Sequence, residues 1–260
     1  MPLLDIKNLS IRFGGLRALT AFNFALDQGE LVALIGPNGA GKTTAFNIAT
    51  GVYPPTSGEI HLAGRRVEGE SPVQLNRAGL ARTFQNIRLF QNLTVLDNVV
   101  VALSGSAEDG LLSTLLRGPK FHRQRLAARD AGLELLATMG LRDDANRVAK
   151  TLSYGDQRRL EIARALATNP QILLLDEPAA GMNPQEKTEL ARLIRFIRDK
   201  FGVGIWLIEH DMKLVMALCE RITVLDHGET IACGTPDAVR GDPKVIEAYL
   251  GEPLPSGGSG

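Results

Sequence analysis

The segment 36–44 contains the residue types needed to hold a polyphosphate. It reads Gly-Pro-Asn-Gly-Ala-Gly-Lys-Thr-Thr and fits the pattern G-x-x-x-x-G-K-[ST]. Glycines let the backbone turn so that successive N–H groups point at phosphate oxygens. Lys42 is expected to neutralise the β- and γ-phosphates, and the Thr43 hydroxyl to ligate Mg²⁺. The predicted phosphate-binding residues are Gly36, Pro37, Asn38, Gly39, Ala40, Gly41, Lys42, Thr43 and Thr44.

Two adjacent carboxylates, Asp176 and Glu177, follow the apolar run 172–175. A carboxylate at the end of a buried strand is costly unless it is paired or bound to a metal. We expect Asp176 to hold the Mg²⁺, directly or through its waters. We expect Glu177 to polarise a water for attack on the γ-phosphate. An apolar run before two acids is by itself a common strand end, so this interpretation depends on the phosphate loop upstream.

Three short apolar runs would position these groups. Residues 31–35 stop at the glycine loop, residues 172–175 stop at the two acids, and residues 205–208 stop at Glu209-His210. Fully apolar strands of this length are typical of a parallel sheet covered on both faces, and ligands bind at the carboxyl ends of such strands. The sequence therefore predicts an α/β core with its chemistry at one edge of the sheet.

The segments between these runs predict the remaining elements. Apolar residues at helical spacing and a capping Asn183-Pro184 pair favour a helix over 185–201. Further helices are predicted over 43–50 and 121–140, a strand over 3–13 with a break near Asn8, and a hairpin over 222–232 that turns at His227-Gly228.

Composition and charge exclude several classes of protein. Of the 260 residues, 44% are hydrophobic and 22% charged, as in globular proteins, and 29 basic residues balance 29 acidic ones. A zero net charge argues against a nucleic-acid partner. No run approaches the roughly 20 apolar residues of a membrane span, and the N-terminus lacks the pattern of a signal peptide. Cys219 and Cys233 lack metal-site spacing, so we expect reduced, mostly buried thiols.

Residues 152–157 read Leu-Ser-Tyr-Gly-Asp-Gln, followed by Arg-Arg-Leu. This segment resembles the signature motif of ATP-binding cassette (ABC) ATPases, which family members carry as LSGGQ or a variant. The resemblance implies an α/β fold with a RecA-like P-loop NTPase core, an antiparallel β subdomain and an inserted helical subdomain. The implied ATP-binding domain is 1–254, with the core and β subdomain at about 1–87 and 161–254, the helical subdomain at about 88–160, and a flexible tail or added linker at 255–260.

The resemblance also implies roles for single residues around ATP and Mg²⁺. Phe13 matches the aromatic that stacks on adenine, and a plain core phenylalanine is the alternative. Gln85 matches the loop glutamine that touches Mg²⁺ and the attacking water, and His210 matches the histidine that hydrogen-bonds the γ-phosphate. The implied catalytic residues are Glu177, His210 and Gln85, and the implied metal ligands are Thr43, Gln85 and Asp176.

The signature residues Ser153, Gly155 and Gln157 are implied to bind the ATP of a second subunit. Tyr154 and Asp156 depart from the usual glycine and glutamine. An acid is repelled by a triphosphate, so we expect Asp156 to turn away from it. Asn183 also stands where the family often has aspartate, which keeps hydrogen bonding and loses charge.

Several stretches look like the ATPase subunit of bacterial branched-chain amino acid importers, with lipopolysaccharide-export ATPases as the alternative within the family. These stretches are 12–16, 82–90, 104–130, 158–164, 208–212 and the ending 234–251. The resemblance implies a transport ATPase on the cytoplasmic face of the inner membrane. Its implied partners are membrane permease subunits, a second ATPase subunit of the same or a related chain and, indirectly, a periplasmic binding protein.

The segment Gln85–Phe90 is expected to receive a cytoplasmic helix of the permease. The alternative is that Leu89 and Phe90 pack inside the helical insertion. Two other functions agree less well with the motifs. A soluble ABC protein acting on ribosomes or DNA would carry tandem cassettes or a long coiled coil, and a P-loop kinase would not need the segment 152–157.

Overall fold

A computed structural model describes residues 1–105 and 119–250. The strands are β1 (Leu4–Phe13), β2 (Leu16–Leu26), β3 (Leu31–Ile35), β4 (Ser57–Leu62), β5 (Arg65–Arg66), β6 (Leu80–Arg82), β7 (Ile172–Asp176), β8 (Gly204–Ile208), β9 (Arg221–Asp226) and β10 (Glu229–Gly234). The α-helices are α1 (Lys42–Ala49), α2 (Pro72–Arg77), α3 (Val95–Gly105), α4 (Pro119–Thr138), α5 (Tyr154–Leu166), α6 (Pro184–Phe201), α7 (Met212–Leu218), α8 (Pro236–Arg240) and α9 (Pro243–Leu250). The tail 255–260 and part of the stretch 104–130 lie outside the described residues.

The larger sheet has the strand order β10-β9-β3-β8-β7-β6. Its strands run parallel except β10, which pairs antiparallel with β9. Every residue of β3, β7 and β8 is buried, because helices and the second sheet cover both faces. The predicted parallel α/β core is therefore confirmed, with the three apolar runs side by side.

The smaller sheet is antiparallel, with the order β2-β1-β4-β5. The pairing register of β1 shifts after Ile6 against β2 and after Lys7 against β4. Asn8 lies within both shifts and has a φ of 48°. The predicted break near Asn8 is confirmed. A side chain at Gly58 would approach the Asn8 carbonyl to 2.6 Å, so glycine is what allows β4 to pass this bulge.

Trp206 on β8 joins the two sheets and fixes α1 between them. Its ring stacks on Phe24 with centroids 4.1 Å apart and meets Phe46 of α1 edge-on at 4.6 Å. All three side chains are buried. Because α1 follows the phosphate loop directly, this aromatic cluster determines where the loop points.

The helices α3, α4 and α5 follow β6 and precede β7 along the chain, and they pack against one another. Apolar side chains of all three share one core, including Val99, Leu136 and Leu160. A side chain at Gly132 would meet Leu96 at 3.0 Å, so α3 and α4 are in close contact there. The helix predicted over 121–140 is observed as α4, and Gly140 (φ 72°) follows its end.

Other local predictions have mixed outcomes. The helix predicted over 185–201 is α6, and the Asn183 side chain caps it by accepting from the N–H groups of Gln185 and Glu186. The predicted hairpin is β9–β10 with its turn at His227-Gly228. The prediction for the cysteines is wrong in part, because Cys219 is buried while Cys233 is exposed on the edge strand β10. Among the described residues, no helix combines the length and the apolar character needed to cross a bilayer.

Candidate nucleotide-binding and catalytic site

The phosphate loop lies between β3 and α1, and two of its glycines are required by close approaches. A side chain at Gly36 (φ 149°) would overlap the Leu225 carbonyl, and one at Gly41 (φ 104°) would come within 2.7 Å of the Ala18 carbonyl. Gly41 caps α1, so the first N–H groups of that helix, which have no partner within it, face the loop. Such a helix start attracts anions.

The β9–β10 hairpin supports the loop from behind. The Gly228 N–H donates to the Ala40 carbonyl at 3.0 Å, and the Gly228 carbonyl accepts from Thr20 at 2.8 Å. The turn therefore ties the phosphate loop to β2, the strand next to β1. Because the turn bonds both the loop and β2, the loop backbone is held in place by the protein itself. Its N–H groups therefore keep their directions without a ligand.

Lys42 points into this loop. Its Nζ donates to the carbonyls of Gly36 and Pro37 at 2.7 and 2.8 Å, and only 6% of the residue is exposed. Burial lowers the pKa of the Lys42 ammonium, while the nearby carboxylates Glu177 and Asp176 counteract this. A buried cation in a ring of carbonyls and N–H groups is suited to a polyphosphate chain.

Three of the residues assigned to catalysis meet at one point. Gln85 Nε2 donates to Glu177 Oε2 at 2.7 Å, and His210 Nε2 lies 2.7 Å from Glu177 Oε1. Glu177 has a φ of 47°, a conformation that costs of order 1–3 kcal/mol for a residue other than glycine. The carboxylate is thus held at both oxygens, on a strained backbone, at the end of β7.

Phe13, Lys42, Glu177 and His210 line the same cleft, which has a volume of about 560 Å³. The Phe13 side chain is 44% exposed and meets Tyr53 edge-on with ring centroids 5.3 Å apart. The alternative reading of Phe13 as a core residue is therefore wrong. The loop residues Asn38, Gly39, Ala40, Gly41, Thr43 and Thr44 complete the wall around Lys42.

Asp176 has a partner that the sequence did not reveal. Its Oδ2 accepts from Arg82 Nη2 at 2.7 Å, and both side chains are 6% exposed. Arg82 Nη1 also donates to Asn47 Oδ1 at 2.7 Å and to Thr50 Oγ1 at 3.2 Å. This arginine therefore connects β6, β7 and α1, the helix that carries the phosphate loop. The signal available was the position of Arg82 just before Thr83-Phe84-Gln85, but no local pattern indicates its partner.

The signature residues form a separate cluster at the start of α5. Ser153 caps the helix, since its Oγ accepts from the Asp156 N–H at 3.2 Å, and it also donates to Asp156 Oδ2 at 2.7 Å. In the single chain the Asp156 carboxylate is thus bound to the Ser153 hydroxyl, and its orientation toward a neighbouring subunit's triphosphate stays a prediction. The Gln157 amide donates to the Leu152 carbonyl at 3.0 Å, and Gly155 has no close neighbour on its side-chain side.

The structure does not bring these signature residues to the phosphate loop. No residue of the segment 152–157 is among the described residues that line the cleft around Lys42. Ser153 is exposed, Asp156 is half-buried, and 46% of the Tyr154 side chain faces solvent. The two halves of the predicted nucleotide site are therefore apart within one chain.

Comparison with known families agrees with this arrangement. The family described as ABC transporter matches residues 19–180, which include the phosphate loop, the signature and the acid pair. The chain belongs to the ABC transporter family. A second family, described as branched-chain amino acid ATP-binding cassette transporter, matches residues 229–254 at the C-terminal end. As a member of the ABC family, the chain is an ATPase, and its α/β architecture is the ABC ATPase fold.

Individual relatives cover almost the whole chain. The high-affinity branched-chain amino acid transport ATP-binding protein LivG of Escherichia coli (strain K12) is 51% identical over 251 residues, 96% of this chain and 98% of that protein. The lipopolysaccharide export system ATP-binding protein LptB of the same strain is 34% identical over 252 residues, 97% of this chain and 98% of that protein. A crystal structure of an ATP-binding cassette of an ABC transporter in its ADP conformation has a TM-score of 0.83 and 28% identity, and the match covers 97% of this chain and 100% of that one.

Proposed function

We propose that this ABC ATPase powers the import of branched-chain amino acids. The observation that carries the catalytic part is the carboxylate of Glu177, held between Gln85 and His210 at the mouth of the phosphate-loop cleft. The similarity to LivG at 51% identity, against 34% to LptB, favours amino acid import over lipopolysaccharide export. The match of residues 229–254 to a branched-chain amino acid transporter family supports the same substrate class.

In this proposal ATP occupies the cleft with its phosphates on the loop. Lys42 and the N–H groups at the start of α1 bind the β- and γ-phosphates. The exposed ring of Phe13, at the other end of the same cleft, supplies a stacking surface for adenine. The rigid support of the loop by the hairpin turn keeps these donors in place before the nucleotide arrives.

Glu177 acts as the general base for the attacking water. A base must lie within hydrogen-bond reach of the proton that it takes and must be oriented by its neighbours. Gln85 and His210 orient the carboxylate by holding one oxygen each. His210 lines the same cleft, so its ring can hydrogen-bond the γ-phosphate. One residue would then contact both the phosphate and the base.

Mg²⁺ would be held by Thr43, Asp176 and the carboxamide oxygen of Gln85, together with phosphate oxygens. These donors are all oxygens, which suits a hard divalent cation, and Mg²⁺ commonly uses few protein ligands plus substrate phosphates. Within residues 1–105 and 119–250, no group of three His, Cys, Asp or Glu side chains forms a metal cluster of its own. The cation when bound would supply charge stabilisation for the transferring phosphate.

A second subunit completes the site. Ser153 is exposed and Gly155 is half-buried at the start of α5, and both lie outside the cleft, so they are available to the γ-phosphate of a neighbouring subunit. Two copies, or this chain and a related one, would pack head to tail around two ATP molecules. ATP then has more contacts in the closed pair than in the open one and shifts the equilibrium toward closure.

The permease would bind at the groove between β6 and α5. This groove has a volume of about 430 Å³, and its walls include Phe84, Arg88 and Arg164. Phe90 next to it is 47% exposed, with the Arg164 guanidinium 4.7 Å above its ring, while Leu89 packs against the core. The subunit would thus work on the cytoplasmic face of the inner membrane, and a periplasmic binding protein would reach it only through the permeases.

The variant Glu177→Gln tests the proposed function. It keeps the shape of the side chain and one acceptor oxygen and removes the base, so we expect ATP binding to persist. Turnover should fall by about 10²-fold or more, the lower range for general-base catalysis. Size-exclusion chromatography should detect an ATP-dependent dimer of this variant. Glu189→Gln makes the same change on α6 outside the cleft and is the control. Hydrolysis by Glu177→Gln at the wild-type rate would show that Glu177 is not the base.

A transport assay tests the substrate class. The chain is reconstituted with the permeases encoded beside it and with their periplasmic binding protein, in vesicles loaded with ATP. Uptake of radiolabelled leucine, isoleucine or valine is expected, and the Glu177→Gln complex should take up none. Export of a lipid in place of amino acid uptake would contradict the proposed substrate.

A further inference from the structure

Helix α5 presents four polar or aromatic side chains on one face to the segment that carries Gln85. They are Tyr154, Arg158, Glu161 and Arg164, spaced so that helical geometry places them on one side. The same helix begins at the signature residue Ser153, its cap. One rigid element therefore connects the signature end of the chain with the loop between β6 and α3.

Three of these side chains bind the backbone of that loop, and Arg164 does so by donating to the Arg88 carbonyl. Arg158 Nη1 donates to the Phe84 carbonyl at 2.7 Å, and its Nη2 donates to the Gln85 carbonyl at 2.8 Å. Glu161 Oε1 accepts from the N–H groups of Phe84 and Arg88 at 3.4 and 3.2 Å, and its Oε2 accepts from Arg158 at 2.7 Å. We call the pair of Arg158 and Glu161 the α5 clamp.

The α5 clamp is buried. Arg158 has 0% and Glu161 5% of its surface exposed. Burial raises the pKa of the Glu161 carboxyl, and Arg158 together with the two loop N–H groups counteracts this. Burying two charges costs free energy that apolar side chains of similar volume would not cost. Their directional bonds instead determine the position of the loop backbone.

A single residue, Gln85, connects the clamp to the catalytic carboxylate of Glu177. The main-chain carbonyl of Gln85 is bound by Arg158, and the side chain of the same residue donates to Glu177 Oε2 at 2.7 Å. Arg158 Nη2 also lies 3.3 Å from the hydroxyl of Tyr154 in the signature. Ser153 is only about 7.5 Å further along the helix axis, at 1.5 Å per residue. A displacement of α5 must therefore move Gln85 relative to Glu177.

We propose that the α5 clamp transmits contact at the signature to the catalytic carboxylate of the same chain. Arg158 and Glu161 are positioning residues that act through Gln85. The inference rests on the proposed function, since in the closed pair the neighbouring subunit's ATP is what contacts Ser153. Binding of that ATP would hold α5, and with it Gln85 against Glu177, so that each site becomes competent when the other is filled. This is a coupling between two distinct sites through a defined structural element.

The principal variant is Arg158→Met/Glu161→Met, which removes both charges together and leaves neither unpaired in the interior. We expect kcat to fall by roughly 10- to 100-fold, as a displacement of about 1 Å at a reacting group does. The KM for ATP and the affinity for a fluorescent ATP analogue should stay within about twofold, because the clamp does not touch the phosphate loop. Arg159→Met is the matched control, since Arg159 pairs with Glu189 at 2.9 Å on the other side of α5.

Arg158→Lys provides a second test if the double variant does not fold. It keeps the charge and loses the planar pair of donors that reaches two carbonyls. A fall in kcat with an unchanged KM is expected again. A purely structural role would lower the folded fraction and would leave kcat per folded molecule unchanged, so active protein is counted by nucleotide binding in each preparation.

A double-mutant cycle with Ser153→Ala tests transmission directly. If the clamp and Ser153 act in series, the combined variant should hydrolyse ATP no more slowly than the slower parent. Multiplication of the two effects on kcat would overturn the inference, as would a clamp variant with wild-type kcat. Failure of Glu177→Gln to form an ATP-dependent dimer would instead overturn the proposed function, so the two failures are distinguishable.

Discussion

The phosphate-loop cleft and the signature end of α5 both bind ATP in the proposed assembly, yet the chain builds them in opposite ways. At the phosphate loop, Lys42 and Asp176 are buried and bond to groups of the same chain. At the signature, Ser153 is exposed and Asp156 is half-buried, and the two bond to each other. The cleft combines the ends of parallel strands with a helix start, whereas the signature is the start of one helix.

This difference shows that the chain carries two half-sites, of which folding fixes only the one around the phosphate loop. There Lys42 and Asp176 have partners in the same chain. In the proposed dimer, the signature half-site contacts the ATP that is bound to another subunit. Changes at the phosphate loop should therefore alter the isolated chain, and changes at the signature should act mainly on the dimer.

The largest effect is expected for Arg82→Met, which changes the half-site around the phosphate loop. It leaves Asp176 buried without its partner, which typically costs about 3–5 kcal/mol of unfolding free energy. Urea unfolding measures the loss. Arg65→Met is the control, because the Arg65–Glu70 pair is largely exposed and such pairs contribute about 0–1 kcal/mol. A loss below about 1 kcal/mol for Arg82→Met would mean that Asp176 is not held by this ion pair.

Lys42→Ala should weaken ATP binding in the isolated chain. Charged hydrogen bonds contribute about 1.5–3 kcal/mol, so we expect affinity to fall by roughly 10- to 100-fold. Titration with a fluorescent ATP analogue measures this effect. Lys187→Ala removes a lysine that pairs with Asp211 outside the cleft and should bind ATP normally. Unchanged affinity in Lys42→Ala would overturn the assignment of the phosphate loop.

Asp156→Asn tests the signature half-site. The change removes a negative charge beside the Ser153 hydroxyl, so ATP-dependent dimerisation in the Glu177→Gln background should become severalfold tighter. The isolated chain should lose only about 0.3–1 kcal/mol of unfolding free energy, because an acid in the first turn of a helix stabilises it by that amount. Light scattering over a range of protein concentrations measures the dimer. A weaker dimer would show that the carboxylate takes part in the contact.

The smallest effect concerns Asp211, which caps α7 and follows the cleft residue His210 in the chain. The hydrogen bond from Lys187, 2.7 Å away, lowers the pKa of the Asp211 carboxyl. A lowered folded-state pKa stabilises the fold above the ordinary range of the group, and this contribution is lost as pH falls through the lowered value. Asp211→Asn keeps a capping side chain, so a small loss of unfolding free energy is expected at neutral pH.

That loss should disappear in acid. Urea unfolding of Asp211→Asn and the wild type is compared from pH 7 down to about pH 2, because the contribution begins to fall below the ordinary pKa of an aspartate and is lost only below the lowered folded-state value. The difference between the two proteins should shrink over this range. A difference at about pH 2 that equals the one at pH 7 would mean that the amide disturbs the cap, not the ion pair.

Local pattern was sufficient for β1, β3, β7, β8 and the β9–β10 hairpin, and for the helices α1, α4 and α6. The runs ending at Gly36, Asp176 and Glu209 are short and apolar, so their burial could be inferred without knowing their neighbours. The strands β2, β4, β5 and β6 were not predicted, and neither was the bond between Ser153 and the Asp156 carboxylate. The prediction of a buried thiol was wrong for Cys233, because burial depends on the place of the strand in the sheet and β10 is an edge strand.

The sequence alone was enough to predict which residues form the phosphate loop, since loop, helix start and lysine are neighbours along the chain. The partners of the buried charges were decided only by tertiary structure. Arg82 and Asp176 are 94 positions apart, and Arg158 reaches a loop 73 or 74 positions away. The physical reason is that a buried ion must find its counter-charge in three dimensions, and no periodicity along the chain records that choice.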